Sequence, residues 1–96
     1  MKNSVIIANT ARGGIINENA LLNALKNKKI LGASLDVFEK EPPDNDSPLL
    51  KNKKILLSPH AATFTRECAS DMSIETVQNV IDFFEKKLNK IMLVKL

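Results

Sequence analysis

Apolar positions along the chain change their spacing several times, and each change marks an element. Residues 4–9, SVIIAN, form a β-branched run bounded by polar residues and followed by Gly13-Gly14, which predicts a short buried strand. Over roughly 18–28 the spacing becomes helical: Ala20, Leu21, Ala24 and Leu25 fall on one face, and Asn17 stands where an N-cap belongs. Gly32-Ala33-Ser34-Leu35-Asp36-Val37-Phe38 predicts a second strand near 31–37, with small residues where a helix packs closely. Strand, helix and strand in so short a span make one βαβ unit, so these strands should be parallel and the crossover right-handed. The stretch EKEPPDNDSPL (39–49) is dense in Pro, Asp and Asn and predicts an irregular loop, with a helical turn over Leu50 to Lys54. Ile55-Leu56-Leu57-Ser58 is the third strand. From about Thr65 to Leu88 runs one long amphipathic helix, with Cys68, Met72, Val80, Phe84 and Leu88 near one stripe and Val77 and Ile81 beside it. Met72 and the phenylalanines of this helix read as core packing. The tail, IMLVKL, is apolar enough that it should pack on something.

Composition narrows the class. At 96 residues the chain is at most one small domain, and 44% apolar and 26% charged residues are ordinary for a globular protein. No apolar run approaches the roughly 18 residues of a membrane span, and the N-terminus lacks a secretory-signal layout. The single cysteine, Cys68, has no partner for an internal disulfide and no cluster of metal ligands around it in sequence, so no metal is expected and a cytoplasmic location fits. A net charge of +3 and a pI near 9.1 raise the question of nucleic acid. The lysines, however, gather as Lys26-Lys28-Lys29, Lys51-Lys53-Lys54 and Lys86-Lys87-Lys90, at element ends and in loops. The four aromatics are all Phe, and none is interleaved with the lysines as a stacking platform would require. Solvated helix ends account for the charge, and neither a nucleic-acid nor a membrane partner is expected.

The candidate chemistry lies just past the predicted strands. Parallel strands of an open α/β sheet place ligands outside their carboxyl ends. There the sequence has Asn9-Thr10-Ala11-Arg12-Gly13, then Asp36 with Glu41, then His60, its only histidine. Taken singly, Arg12 could be an ion-pair former, Asp36 a strand-end turn residue, Glu41 a loop carboxylate and His60 a surface imidazole. Together at one edge they make a coherent site. An arginine fork grips a carboxylate in bidentate fashion. A histidine exchanges a proton with a hydroxyl or carbonyl oxygen, and a nearby carboxylate favours its charged form and fixes its tautomer.

The same residues carry a resemblance. The segment from Asn9 to Pro43, NTARGGIINENALLNALKNKKILGASLDVFEKEPP, followed by LLSPHAATFTRE, resembles the C-terminal half of the nucleotide-binding domain of the D-2-hydroxyacid dehydrogenases. The nearest branch resembles D-3-phosphoglycerate dehydrogenase and the hydroxypyruvate/glyoxylate reductases. The likeness covers nearly the whole chain, and its motifs, N-x-x-R-G, G-A-x-x-D-V-F-x-x-E-P and S/T-P-H, are jointly specific. It implies an α/β fold: a partial Rossmann-type nucleotide-binding domain of three parallel strands with flanking helices and a long C-terminal helix. Residues 1–62 would be the later half of the NAD-binding domain, and 63–96 the helix and tail that pack back onto a substrate domain. The resemblance further implies an NAD-dependent oxidoreductase, NADP being left open, acting on a small 2-oxo or 2-hydroxy acid. Arg12, Glu41 and His60 would be the catalytic residues: Arg12 gripping the substrate's carboxylate and carbonyl, His60 the general acid–base group and Glu41 its partner. Asp36 would bond the nicotinamide carboxamide, and Thr10, Ala11, Arg12 and His60 with Ala61 and Ala62 would line that end of the cofactor.

The chain departs from the family's pattern at its dinucleotide fingerprint, at the acidic ribose-binding residue expected after it, and in lacking most of the substrate domain. Its only glycines are Gly13, Gly14 and Gly32, so the G-x-G-x-x-G turn that cradles a pyrophosphate on a helix N-terminus is absent. The expectation is therefore a piece of a longer dehydrogenase, inactive in isolation. The alternative is a non-catalytic oligomerising module, and in either case a homo-oligomer with the long helix at its interface.

Overall fold

The computed structural model of the protein describes residues 1–94, which divide into two compact units, Met1–Ala62 and a second from Thr63 onward. In the first unit, strand β1 (Ile6–Asn9) leads into helix α1 (Glu18–Lys26), strand β2 (Gly32–Leu35), a short helix α2 (Pro48–Lys51) and strand β3 (Ile55–Leu57). The strands form one parallel sheet in the order β1-β2-β3, with Asn9 opposite Leu35 and Leu35 opposite Leu57. Their carboxyl ends are thus level, and the loops that follow all leave from one edge.

One face of the sheet carries the core. Leu21 and Leu25 of α1, Ala33 and Leu35 of β2, Leu49 of α2 and Ile55 of β3 are buried in one cluster with Ile30 and Phe38. Burying each of the larger side chains contributes about 1.5–3 kcal/mol. The expected helical face is corrected at one position: Leu22, not Ala20, joins Leu21, Ala24 and Leu25 against the core, and Ala20 is exposed. On the opposite face Ile6 is 64% and Leu56 72% exposed, so β1 is not the fully buried strand its composition suggests. Only alternate side chains of a strand reach the covered face.

Element ends differ from the sequence expectation by a few residues. Asn17 caps α1 as anticipated, its Oδ1 accepting from Ala20 N. The helix stops at Lys26 rather than 28 because Lys28 turns left-handed (φ 55°), with Lys29 N–H donating to Ala24 O and Lys28 N–H to Leu25 O. Helix α2 begins earlier than expected, at Pro48, where the Ser47 side chain caps it and proline suits the first helical position.

In the second unit, helix α3 (Arg66–Phe84) is capped by Thr65, whose Oγ1 accepts from Cys68 N. It ends four residues short of the expected Leu88, through the same device used by α1. Lys86 adopts φ 59°, Lys87 N–H donates to Asp82 O and Lys86 N–H to Phe83 O. Leu88 therefore lies outside the helical stripe. A short 3₁₀ turn, Lys90–Met92, follows, with Ile91 and Val94 exposed; Lys95 and Leu96 of the apolar tail lie outside the described residues.

Candidate active site

Three loops leave the carboxyl edge of the sheet. The first is braced by Asn9, the last residue of β1, whose buried side chain accepts from Ala11 N through Oδ1 and donates through Nδ2 to Arg12 O. Thr10, Ala11 and Arg12 are exposed on this braced turn, and one Arg12 guanidinium N–H donates to Ala11 O at 2.7 Å. Among the described residues Arg12 makes no ion pair. Gly13 then passes against the second loop so closely that a β-carbon there would lie 1.9 Å from Phe38 O. Only glycine permits that approach.

The second loop begins at Asp36, only 3% exposed, and its carboxylate is held by the third loop. Oδ1 accepts from the Ser58 hydroxyl and from Ala61 N, and Oδ2 accepts from Ala62 N. The Ser58 hydroxyl, foremost, with the Ala61 amide next, holds the Asp36 carboxyl below the ordinary aspartate range against the opposing effect of burial. Both oxygens are thereby engaged in fastening the turn that carries His60. That turn needs fastening, because His60 sits in the left-handed region (φ 53°), which histidine enters more readily than most residues but not freely.

Glu41 completes the group. Its Oε1 accepts from Phe38 N at 3.1 Å, and its Oε2 lies 2.7 Å from His60 Nδ1. The His60 contact, with the Phe38 amide second, pulls the Glu41 carboxyl below the ordinary glutamate range, and the Arg12 charge acts in the same direction. A carboxylate only accepts, so the proton between the two belongs on Nδ1, leaving Nε2 as the second ring nitrogen. The structure thus joins His60, Glu41 and Asp36 through direct bonds or the bonded turn, while Arg12 acts on Glu41 by charge without touching it.

Residues 1–62 match the model of the family described as D-isomer specific 2-hydroxyacid dehydrogenase, NAD binding domain. The chain belongs to this family.

As a member of it, the chain is 44% identical over 82 residues to the D-3-phosphoglycerate dehydrogenase of Archaeoglobus fulgidus, covering 85% of this chain and 16% of that protein. It is 43% identical over 90 residues to glyoxylate/hydroxypyruvate reductase B of Salmonella newport, covering 94% of this chain and 28% of the reductase. Among solved structures, a glyoxylate reductase from Paecilomyes thermophila superposes with a TM-score of 0.74 at 41% identity, over 90% of this chain and 26% of its own. A D-isomer specific 2-hydroxyacid dehydrogenase from Xanthobacter autotrophicus, solved with NADPH and MES, gives 0.74 at 32% identity, over 99% and 38%. The chain therefore spans well under half the length of these relatives. The α/β fold with three parallel strands, expected from the sequence, is the Rossmann-type fold of the solved dehydrogenases, and the family is one of NAD-binding domains.

Three residues shape this site without having been assigned a part from sequence: Asn9, Gly13 and Ser58. Asn9 and Gly13 stand in the N-x-x-R-G motif, and an asparagine two residues before a turn amide is a legible Asx-turn signal. Nothing local foretells that the Ser58 hydroxyl reaches a residue in another strand's loop.

Proposed function

We propose that this chain is the acid–base and substrate-gripping part of an NAD-dependent D-2-hydroxyacid dehydrogenase that interconverts a small 2-oxo acid and its D-2-hydroxy acid, of the hydroxypyruvate or phosphoglycerate kind. The observation that carries the reading is the His60–Glu41 pair, Nδ1 to Oε2 at 2.7 Å, at the carboxyl edge of a parallel sheet. Two supports accompany it: an arginine on the adjoining loop, and relatives named for these reactions.

The nicotinamide, when bound, supplies or takes up the hydride. His60 handles the proton. With Nδ1–H directed at Glu41, a proton on Nε2 makes the ring an imidazolium balanced by the carboxylate, and it is given to the substrate oxygen as the carbonyl becomes a hydroxyl. In the reverse direction the free Nε2 takes the hydroxyl proton. Arg12 offers its planar fork to the carboxylate of the 2-oxo acid. Glu41 acts through His60, and Asp36 acts through the turn it fastens.

Thr10, Ala11, Arg12 and the His60–Ala62 turn would line the nicotinamide end of a cofactor. Asp36, 3% exposed and accepting from Ser58, Ala61 and Ala62, serves that end through the turn it fastens rather than by bonding the carboxamide. No glycine of the chain lies in a G-x-G-x-x-G turn, so pyrophosphate binding is not assigned to it. NADP stands beside NAD because a solved relative holds NADPH. A second reading, a non-catalytic module that associates with another copy of itself, is favoured by the apolar sheet face around Ile6 and Leu56.

The deciding experiment grafts residues 1–62 into the Paecilomyes thermophila glyoxylate reductase in place of its matching segment, and follows NADH oxidation with glyoxylate and with hydroxypyruvate. Turnover that falls by about 10² or more on His60→Ala supports the assignment. A chimera that folds and binds NADH, yet turns over equally well without the imidazole, removes it.

A further inference from the structure

Outside the groups given a chemical part above, two glutamates meet in an arrangement that like charges ordinarily avoid. Glu39 N–H donates to Glu18 Oε1 at 2.7 Å, and Glu18 N–H donates to Glu39 Oε1 at 3.1 Å. Each carboxylate thus takes the other's main-chain amide, across 21 residues of sequence. The chemistry suits the place. Glu18 is the first residue of α1, and a helix's first amides have no partner within the helix. Asn17 takes the Ala20 amide, and Glu39 takes that of Glu18 from the far loop. The positive end of the α1 dipole also favours the two carboxylates.

The clasp lies in the path to the proposed proton-transfer pair. Phe38, the neighbour of Glu39, donates its N–H to Glu41 Oε1, and Glu41 Oε2 faces His60 Nδ1. Beside it Gly13 runs against the Phe38 carbonyl with no room for a β-carbon, so the loop bearing Arg12 and the loop bearing Glu41 are in contact at main-chain level. The Lys40–Asp44 ion pair stays within the second loop and fastens it to nothing else. The loop itself, EKEPPDNDSP, is built of turn formers and has few apolar anchors. We propose that Glu39, paired with Glu18, is a positioning residue: it ties the second loop to the start of α1 and so holds the Glu41 carboxylate against His60. The functional meaning of this rests on the dehydrogenase reading above; the geometry does not.

The test uses the 96-residue chain and compares Glu39→Ala with Glu39→Gln. Glutamine keeps a carbonyl oxygen for the Glu18 amide while removing the charge, so it separates hydrogen bonding from electrostatics. Three readouts by NMR suffice: exchange of the Glu18 amide, titration of the Glu41 carboxyl carbon, and the ring signals of His60, which are unambiguous because it is the only histidine. In Glu39→Ala the Glu18 amide should exchange about tenfold faster, the size of effect one hydrogen bond gives. The Glu41 titration should move up towards the ordinary glutamate range, and the His60 ring signals should cease to follow it. Glu39→Gln should stay close to the parent chain in all three. If the amide is freed while Glu41 and His60 are undisturbed, the clasp exists but positions nothing, and the proposal falls. If the amide is not freed, the clasp itself is wrong. Should Glu39→Ala lose its far-UV circular dichroism, Glu18→Ala, which removes only the other bond, is expected to shift Glu41 in the same direction, and no shift there overturns the proposal equally. None of these readouts involves substrate, so failure of the clasp is distinguishable from failure of the dehydrogenase reading, which the chimera reports.

Discussion

Asp36 and Ala61 stand 25 residues apart and are joined by a hydrogen bond of 2.9 Å from the Ala61 amide to Oδ1, one of three that the buried carboxylate accepts from the third loop. The bond places a strand-end carboxylate beneath the turn that presents His60. It also makes the turn's conformation depend on a charge.

Asp36→Asn should therefore be destabilising near neutral pH. An amide offers one oxygen where three donors converge, and its NH₂ would meet a backbone N–H instead of accepting from it. The sign with pH follows from the lowered carboxyl of Asp36. Its contribution is fully present above the ordinary aspartate pKa and is lost as pH falls through the lower folded value. Thermal midpoints of the two chains should consequently differ most at neutral pH and converge in acid. A constant gap across pH would mean that the charge is irrelevant to the turn.

His60→Ala should let the Glu41 carboxyl rise, because the contact with His60 is the foremost cause of its depression. The Phe38 amide remains, so part of the lowering should persist. Stability contributed by Glu41 is present above the ordinary glutamate pKa and lost on acidification through its lowered value, and the variant should lose part of that acid dependence. Carboxyl-carbon NMR across pH reads the titration directly. An unmoved Glu41 titration would show that the 2.7 Å contact is not populated in solution.

Much of this arrangement was legible in the residues. The β-branched run before Asn9, the helical spacing after Asn17 and the run at Ile55 are local signals, and a helical crossover between successive strands makes them parallel, with their carboxyl ends at one edge. That is why the sequence by itself puts Arg12, Asp36, Glu41 and His60 at one edge. Helix ends were less legible, because at α1 and α3 the left-handed stop is made by Lys28 and Lys86 where glycine is usual. The start of α2 was written in Ser47-Pro48, a cap followed by a first-turn proline, within a stretch whose Pro and Asp content suggests only loop. The engagement of both Asp36 oxygens by Ser58, Ala61 and Ala62 was not legible at all. It depends on the register that sets Leu35 beside Leu57, a long-range property.

Gly13→Ala should be destabilising by about 1–3 kcal/mol, the usual cost of forcing extra atoms into a packed place. The obstacle is main chain, with Phe38 C and Glu39 N also within 3 Å of the added carbon, so no side-chain rotation relieves it. Gly14→Ala meets no atom within 4 Å, but its φ of 84° carries a conformational penalty of its own. Denaturant unfolding gives the loss of stability in each variant, and amide exchange at residues 36–41 separates the two: Gly13→Ala alone should quicken it, and unchanged exchange there would mean that the two loops do not pack at main-chain level.

Arg12→Lys in the reductase chimera should lose activity chiefly through the 2-oxo acid. An ammonium supplies charge without the planar pair of donors that a carboxylate accepts in parallel. Arg12 makes no hydrogen bond to His60 or Asp36, and lysine keeps the charge beside Glu41, so the Glu41 titration should change little and cofactor affinity should fall less than the use of the 2-oxo acid. Steady-state kinetics would show the loss in kcat/KM for glyoxylate. An equal loss of NADH affinity would argue that Arg12 serves the cofactor instead.

The chain alone should self-associate. Parallel sheets are ordinarily covered on both faces, because βαβ crossovers lay helices over them. In the first unit one face is packed by Leu21, Leu25 and Leu49, while Ile6 and Leu56 stand 64% and 72% exposed beside Ala8, Gly32 and Ser34 on the other. In α3, Val77, Val80, Ile81 and Phe84 recur at helical spacing and are exposed as well. Contiguous apolar area beyond a few hundred Å² is seldom left open on a monomer. A two-fold contact would bury the same patch twice in one interface. Sedimentation equilibrium should therefore give a mass above the 10.6 kDa of one chain, rising with concentration. Leu56→Lys should shift the equilibrium towards monomer if the sheet face is the contact, and Val80→Lys should do so if the helix is. A compact species of 10.6 kDa that is independent of concentration would exclude self-association by either surface.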